Sequence, residues 1–132
     1  MKSIFINLPI KNLDKTVEFF TKLGFHFNKK FTSESATCMI IEENIYAMLL
    51  VESYFKTFIK KEIADAKKVT EVLLALSFNS IQEVDNFMEK GILAGGSEAR
   101  EKQELGFMYS RALEDLDGHI WEVFWMDPAQ VQ

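Results

Sequence analysis

One acidic side chain, Glu122, lies in the most hydrophobic segment of the chain, Ile-Trp-Glu-Val-Phe-Trp-Met at positions 120–126. In a β-strand, Glu122 would share a face with Ile120 and Phe124. A carboxylate on an apolar face lowers stability unless it is paired, hydrogen-bonded or bound to a metal ion. We therefore predict that Glu122 is a ligand or an acid–base group in a cleft, with Phe124 beside it. The alternative is a sheet edge where Glu122 faces solvent.

Two further polar residues lie in the aromatic segment Phe-Met-Tyr-Ser-Arg at positions 107–111. Arg111 could hold an anionic substrate through two N–H groups. Tyr109 has the same strand parity and could donate its hydroxyl group to a ligand. The alternatives are a surface or interface ion pair for Arg111 and simple packing for Tyr109.

The other chemically reactive side chains do not form a recognisable catalytic motif in the sequence. Cys38 lies within an apolar run with no neighbouring base in the sequence, which favours a packed core residue over a nucleophile. His119 is out of phase with Glu122 on the same predicted strand, and His26 lies on another strand. We find no zinc-ligand spacing, nucleophile elbow or dinucleotide fingerprint in the sequence.

The composition of the 132 residues predicts a globular protein, since 48% are hydrophobic, 27% are charged and glycine plus proline number only eight. A net charge of −5 argues against nucleic-acid binding. The single cysteine is typical of a reducing compartment. The longest apolar run, 45–51, is too short to span a membrane, and the N-terminus has no signal-peptide pattern. We expect a soluble cytoplasmic protein without membrane partners.

The first half of the chain predicts the element order β-α-β-β-β. Strands are predicted at 4–10, 25–31, 36–41 and 45–51, with a helix that begins after Asn12 and ends at Gly24. The second half repeats this order. Strands are predicted at 71–78, 106–113 and 119–126, a helix begins after Ser80 and ends at Gly91, and residues 97–104 form an edge strand or a loop.

An internal duplication is the simplest explanation of this repeated order. A shift of 68 residues places Leu8 on Leu76 and Phe20 on Met88. We divide the chain into module one, about 1–52, a linker, about 53–69, and module two, about 70–127. Apolar residues at helical spacing within 53–63 predict a helix in the linker.

Two motifs resemble a known family. Asn-Leu-Pro-Ile-Lys-Asn-Leu at 7–13 with Phe-Phe-Thr-Lys-Leu-Gly-Phe at 19–25 resembles the opening of the vicinal oxygen chelate superfamily. This superfamily comprises glyoxalase I, bleomycin-resistance proteins and extradiol dioxygenases. Asp-Leu-Asp-Gly-His-Ile-Trp-Glu-Val at 115–123 resembles its closing hairpin. The resemblance covers nearly all of the chain, 1–132, as one glyoxalase-like domain, and the best match is the branch of predicted lactoylglutathione lyases.

The resemblance implies an α+β fold in which two tandem βαβββ modules form a curled mixed sheet with a concave cleft and helices on the outer face. It also implies a divalent metal ion (Ni, Zn, Fe or Mn) held by ligands on the first and last strands of the modules. Glu122 matches the last of these ligands. The first-strand ligand position falls on Phe5, with Asn7 two residues further on the same face, so the implied metal site is incomplete.

Three hypotheses of function follow. The first is a small-molecule lyase or isomerase of the lactoylglutathione lyase type, in which Glu122 is catalytic and binds the metal. The second is a metal-free protein that binds a small aromatic or amphipathic molecule, as bleomycin-resistance proteins sequester their drug. The third is a homodimer whose cleft has no chemical role. A homodimer is also the assembly that we expect under the other two hypotheses. The predicted substrate-binding residues are Phe5, Asn7, Tyr109, Arg111 and Phe124.

Overall fold

The structure, a computed structural model, describes residues 1–130, and its contacts divide the chain into two compact units. The first unit is Met1–Ala64, and the second begins at Asp65. This boundary falls inside the segment that the sequence analysis assigns to a linker. Each unit contains one β-α-β-β-β sequence of elements and its own four-stranded mixed sheet, which confirms the predicted tandem α+β fold class.

The first unit contains strands β1 (Ile4–Ile10), β2 (His26–Asn28), β3 (Ala36–Glu42) and β4 (Ile45–Val51) with helix α1 (Leu13–Lys22) after β1. The strand order is β1-β4-β3-β2, with β1 parallel to β4 and the other pairs antiparallel. The short helix α2 (Glu52–Phe55) follows β4.

Helix α1 begins and ends where the sequence predicts. The side chain of Asn12 accepts a hydrogen bond from the backbone N–H of Lys15 at 3.0 Å, which satisfies one of the unpaired donors of the first turn. Gly24, at φ +102°, follows the last turn in a conformation that favours glycine. Phe19 and Phe20 of α1 are fully buried, so this helix contributes two large aromatic side chains to the core of its unit.

The second unit contains strands β5 (Leu73–Ser77), β6 (Ser97–Glu104), β7 (Met108–Glu114) and β8 (Ile120–Met126) with helix α3 (Ile81–Leu93) after β5. The strand order is β5-β8-β7-β6, which matches the first unit position by position. Ser80 caps α3 by accepting a hydrogen bond from the N–H of Glu83 at 3.1 Å. Helix α3 packs on β7 and β8, and its buried residues are Val84, Phe87, Met88 and Gly91.

The hairpin between β7 and β8 is fixed by Asp115, which is 5% exposed. Its carboxylate accepts hydrogen bonds from the backbone N–H groups of Asp117 and His119 and from Nε1 of Trp121. Gly118 in the same turn has φ +95° and lies so close to the 66–67 backbone that a Cβ atom would be 2.7 Å from the carbonyl carbon of Ala66. The predicted Asp-Gly turn therefore also holds a chain segment against the hairpin.

Four predicted elements differ from the structure in length by more than one residue, and local interactions explain three of the differences. The fourth is the strand predicted over 71–78, which is β5 (Leu73–Ser77). The strand predicted over 25–31 ends at Asn28, because the Asn28 side chain accepts a hydrogen bond from the N–H of Lys30 and starts a 3₁₀ turn at 29–31. The helix predicted over 53–63 is only α2 followed by a 3₁₀ turn at 56–58, and α2 has no side-chain N-cap. Helix α3 continues past Gly91, because this glycine allows close packing on Leu113 rather than ending the helix.

The segment 97–104, predicted as an edge strand or a loop, is the edge strand β6. Among the helices of residues 1–130, none has the length and apolar character that a membrane span requires.

Candidate functional site

Glu122 lies on the face of the second sheet that points away from α3. Along β8, Trp121 and Val123 are buried on the α3 side, whereas Glu122 and Phe124 are half-buried on the opposite side. The register places Glu122 between Ala75 of β5 and Ala112 of β7. We call the side of the sheet that carries Ala75, Ala112, Glu122 and Phe124 the open face; Ala112 is itself buried on this side. The strand parity predicted for Glu122 and Phe124 is therefore the parity of the structure.

The carboxylate of Glu122 is paired with the guanidinium group of Arg100 on β6. Nη2 of Arg100 donates to Oε2 of Glu122 at 3.1 Å and to Oγ of Ser110 at 2.8 Å, and Nη1 donates to the carbonyl oxygen of Glu101 at 3.0 Å. The side chains of Arg100 and Glu122 are 30% and 25% exposed. Glu122 is thus neither an isolated buried charge nor a solvated edge residue, since a neighbouring cation compensates it.

A local irregularity in β6 positions Arg100. Glu98 lies opposite Leu113, yet Arg100, two residues later, lies opposite Ala112, and a second register shift follows before Gln103. In an unbroken register Arg100 would lie opposite Arg111 and share the α3 side with Glu98, because residues two apart point to the same face. The extra residue, Ala99, rotates Arg100 to the open face. Register shifts of this type re-aim side chains at sheet edges.

Tyr109 and Arg111 lie on the opposite side of the sheet from Glu122, facing α3. Arg111 donates to both carboxylate oxygens of Glu98, at 2.9 and 3.0 Å, and to Oδ1 of Asp85 on α3 at 2.9 Å. Tyr109 donates its hydroxyl hydrogen to the same Asp85 oxygen at 2.6 Å. Arg111 therefore forms the ion pair that the sequence analysis names as its alternative role, and the structure does not bring these two residues together with Glu122 or Phe124.

The charges of this cluster hold one another ionised. Burial raises the pKa of Asp85, but hydrogen bonds from Tyr109 and Arg111 outweigh burial and leave the pKa below its ordinary value of 3.8. The hydrogen bonds from Arg111 hold the pKa of Glu98 below 4.5. Burial and the bond to Asp85 raise the pKa of Tyr109 to about 12. The cluster, together with Arg100 and other charged residues of α3 and β6, lines a groove of about 930 Å³ between these two elements. Its mutual pairing is typical of a structural network.

Phe5 and Asn7 share one face of β1 in the first unit, as their parity predicts. The ring of Phe5 stacks on Tyr46 of β4 with the centroids 4.8 Å apart, and Phe5 remains 50% exposed. Asn7 lies opposite Met48, and its side-chain N–H donates to the carbonyl oxygen of Phe5 at 3.2 Å. Both residues are accessible, but neither provides an uncommitted charged group.

The side chains near Glu122 do not fit a divalent metal site. Such an ion needs three or more nitrogen or oxygen ligands, whereas the cross-strand neighbours of Glu122 are two alanines and its carboxylate already faces a cation. Residues 1–130 contain no group of three or more His, Cys, Asp or Glu side chains arranged to hold a metal ion. We therefore derive no chemical step through a metal at Glu122.

Cys38 is buried in the first unit opposite Met48. Burial raises the pKa of its thiol above the ordinary value, which lowers the thiolate fraction at neutral pH and disfavours a role as a nucleophile.

No protein-family model matches the sequence, and no curated protein matches it. Solved structures, in contrast, match nearly the whole chain. A hypothetical protein from S. aureus matches with a TM-score of 0.81 and 25% identity over 95% of this chain and 94% of its own. A glyoxalase-related enzyme from Fulvimarina pelagi matches with a TM-score of 0.80 and 19% identity over 95% of this chain and 88% of its own. A glyoxalase/bleomycin resistance protein/dioxygenase family enzyme from Burkholderia phytofirmans PsJN matches with a TM-score of 0.79 and 12% identity over 96% of this chain and 99% of its own.

The chain has the fold of the glyoxalase/bleomycin resistance/dioxygenase proteins. At these identities the likeness establishes the fold and no more, so the lactoylglutathione lyase branch stays a prediction. On the open face, the sequence analysis named Glu122 and Phe124 as candidate site residues but did not name Arg100 and Ser110, which the structure places in one hydrogen-bonded group with Glu122. The one sequence feature that could have pointed to Arg100 is its positive charge in a predicted edge segment. The sequence does not reveal that Arg100 pairs with Glu122, because this pairing depends on a register shift in β6.

Proposed function

We propose that this protein binds a small, mainly apolar organic molecule on the open face, as a glyoxalase/bleomycin resistance-type protein. The observation that carries the proposal is the Arg100–Glu122 pair, a polar centre between the apolar side chains of Ala75, Ala112 and Phe124. Ligand sites are mostly apolar with a few placed polar groups, and this surface has that composition.

The small side chains around the pair support the proposal further. Ala75 and Ala112 flank Glu122 in the register, so little side-chain volume covers the carboxylate from the neighbouring strands. Phe124 and Leu73 provide apolar surface on the same side, and Leu73 is 54% exposed. Such an arrangement leaves room for a ligand that packs on the strands and hydrogen-bonds to the pair.

The experiment is a screen of aromatic and amphipathic compounds by thermal unfolding, followed by amide NMR mapping of each hit. We expect hits to raise the Tm and to shift the amide signals of Ala75, Ala112 and Phe124. Glu122→Gln should weaken binding by about tenfold or more, because a hydrogen bond to a charged group contributes roughly 1.5–3 kcal/mol.

The matched control is Glu18→Gln, which removes the carboxylate of an exposed ion pair with Lys22 on α1, in the first unit. This change should leave affinity unaltered. Hits that shift only the signals of Asp85 and Tyr109 would move the site to the groove beside α3 and contradict the proposal. The proposal also fails if no compound binds.

A lactoylglutathione lyase-type activity is the second candidate, and its support is the structural likeness to a glyoxalase-related enzyme. It requires a metal ion that protein purified without chelator should retain in stoichiometric amount. Isomerisation of the hemithioacetal of methylglyoxal and glutathione, dependent on added Ni²⁺ or Zn²⁺ and lost in Glu122→Gln, would favour the lyase over the metal-free binder.

A further inference from the structure

We infer that Arg100 supplies at Glu122 the positive charge that the family resemblance assigns to a metal ion, and that the site therefore selects an uncharged ligand. The inference rests on the proposed function, because it names the class of molecule that the open face takes. It makes Arg100 a specificity-determining residue for that ligand.

The first step of the argument is the set of hydrogen-bonding groups that the pair leaves available. Nη2 of Arg100 is committed to Ser110 and Glu122, and one Nη1 hydrogen is committed to the carbonyl of Glu101. Within residues 1–130, the Nε–H of Arg100 and Oε1 of Glu122 form no hydrogen bond. The pair thus retains one unused donor and one unused acceptor and carries no net charge.

The second step is that Arg100 reaches this position only through the register shifts on both sides of it. An unpaired residue in a ladder loses backbone pairing, so the irregularity has a local cost in stability. In return it separates two networks, since Glu98 binds Arg111 on the α3 side while Arg100 binds Glu122 on the open face. Without the shift, Arg100 and Arg111 would be cross-strand neighbours of like charge, which is unfavourable.

The third step is that the fold does not require an ion pair at this position. In the first unit, Met48 lies between Asn7 on one neighbouring strand and Cys38 on the other. In the second unit, Glu122 lies between Ala75 and Ala112 in the same way. Met48 therefore occupies the position equivalent to Glu122. A sheet of the same topology forms with an apolar residue there, so the charges of the second unit point to recognition.

The ligand class follows from the charges. A carboxylate ligand would be attracted by Arg100 but repelled by Glu122. An ammonium ligand would be attracted by Glu122 but repelled by Arg100. The neutral pair therefore disfavours both kinds of ion. A molecule with an apolar body and adjacent carbonyl and hydroxyl groups can accept from Arg100 and donate to Glu122. An uncharged hydroxy-carbonyl compound is thus the predicted class.

The experiment compares three aromatic probes that differ in charge: 2-hydroxyacetophenone (neutral), benzoate (anionic) and benzylammonium (cationic). Amide NMR titrations measure their dissociation constants on the wild-type protein, Arg100→Met, Arg100→Lys and Glu122→Gln. We expect the wild type to bind 2-hydroxyacetophenone at least about fivefold more tightly than either ion, with shifts at Ala75, Ala112 and Phe124.

The two variants that remove one charge, Arg100→Met and Glu122→Gln, should replace this preference by preferences for ligands of opposite charge. Arg100→Met leaves the Glu122 carboxylate uncompensated, so benzylammonium should become the tightest of the three probes. Glu122→Gln leaves the charge of Arg100 uncompensated, so benzoate should become the tightest of the three probes. Arg100→Lys retains the cation and should keep the neutral probe first, which a purely structural role of Arg100 does not require. Circular dichroism verifies that each variant is folded.

The inference is overturned if the order of the three probes is the same in all four proteins, even though they bind at the open face; the proposed function would survive that result. Binding of none of the probes to the wild type overturns the inference, and the compound screen then decides the proposed function separately.

Titration with Zn²⁺, Ni²⁺ or Mn²⁺ alone is the last measurement. Stoichiometric uptake that Glu122→Gln abolishes would also overturn the inference, because Arg100 would then not replace the metal.

Discussion

The two units share a strand order and a register but place charge differently. In the first unit, Met48 and Cys38 lie where the second unit has Glu122 and Ala112. On the helix-covered side, Thr37 of the first unit is buried and shares a hydrogen bond with the hydroxyl of Thr32, whereas Arg111 of the second unit binds two carboxylates. The same backbone pattern thus supports an apolar version and a charged version of one sheet.

In the part of the chain that the structure describes, the ion pairs that link one strand to another strand or to a helix lie in the second unit. Ion pairs in a partly buried setting contribute little net stability relative to apolar residues of similar size. The first unit shows that such apolar residues are compatible with the fold. The charged residues of the second unit therefore call for a role in recognition or in the positioning of β6, and the two roles can be separated by mutation.

The largest expected effect concerns the turns that join the last two strands of each unit. Asn44 has φ +66° in the first unit, and Gly118 has φ +95° in the second. Gly118→Asn should reduce the free energy of unfolding by about 2–4 kcal/mol, since it combines backbone strain with a clash against the 66–67 backbone. Urea denaturation measures this change.

The reciprocal substitution is its control. Asn44→Gly removes the hydrogen bond from the Ser3 hydroxyl to Oδ1 of Asn44 and should change the free energy of unfolding by only about 1 kcal/mol or less. Equal effects of the two substitutions would contradict the asymmetry between the two turns.

An intermediate effect is expected when the charged cluster beside α3 is removed. Arg111→Met should destabilise the protein by about 1–2 kcal/mol at pH 7, a modest value because its carboxylate partners are more than a third exposed. Folding lowers the pKa of Asp85 and of Glu98, so their contribution is present above about pH 4.5 and is lost as the pH falls below their folded pKa values.

The difference between wild type and Arg111→Met should therefore shrink between pH 5 and pH 3, as measured by urea denaturation at each pH. Lys22→Met, which breaks an exposed pair on α1, should cost about 0.5 kcal/mol or less. A difference for Arg111→Met that stays constant down to pH 3 would show that its carboxylate partners contribute nothing through their charge.

The smallest expected effect converts the open face of the second unit to the type seen in the first. The double variant Arg100→Met with Glu122→Met should have a free energy of unfolding within about 1 kcal/mol of the wild type, because an apolar pair can replace a partly buried ion pair. Arg100→Met alone should be less stable than the double variant, since it leaves Glu122 uncompensated. A double variant that is far less stable than either single variant would assign the pair a structural role.

Local signals in the sequence were sufficient for much of the fold. Asn12 and Ser80 cap helices where predicted, and the Asp-Gly turn at 117–118 joins β7 and β8. These predictions succeed because capping and turn formation depend on residues only a few positions apart. The alternation in β8 likewise placed Glu122 and Phe124 on one face.

The partners of the charged side chains could not be predicted in the same way. Arg111 bonds to residues 26 and 13 positions earlier in the chain, and Arg100 bonds to a residue 22 positions later. β6 is polar on both faces, so it has no apolar periodicity from which its register could be inferred. The sequence analysis therefore paired Glu122 with an implied metal ion rather than with the arginine that the structure places beside it.

The additional residue in β6 has a consequence for how related chains are compared. Because Arg100 faces Glu122 only when Ala99 is accommodated outside the ladder, a one-codon insertion or deletion nearby could transfer the guanidinium group to the other side of the sheet without changing any side chain. Two homologues with the same arginine in an alignment column could then differ in the charge of their binding surface. Related chains should therefore be aligned by strand register rather than by residue identity when their ligand specificities are compared.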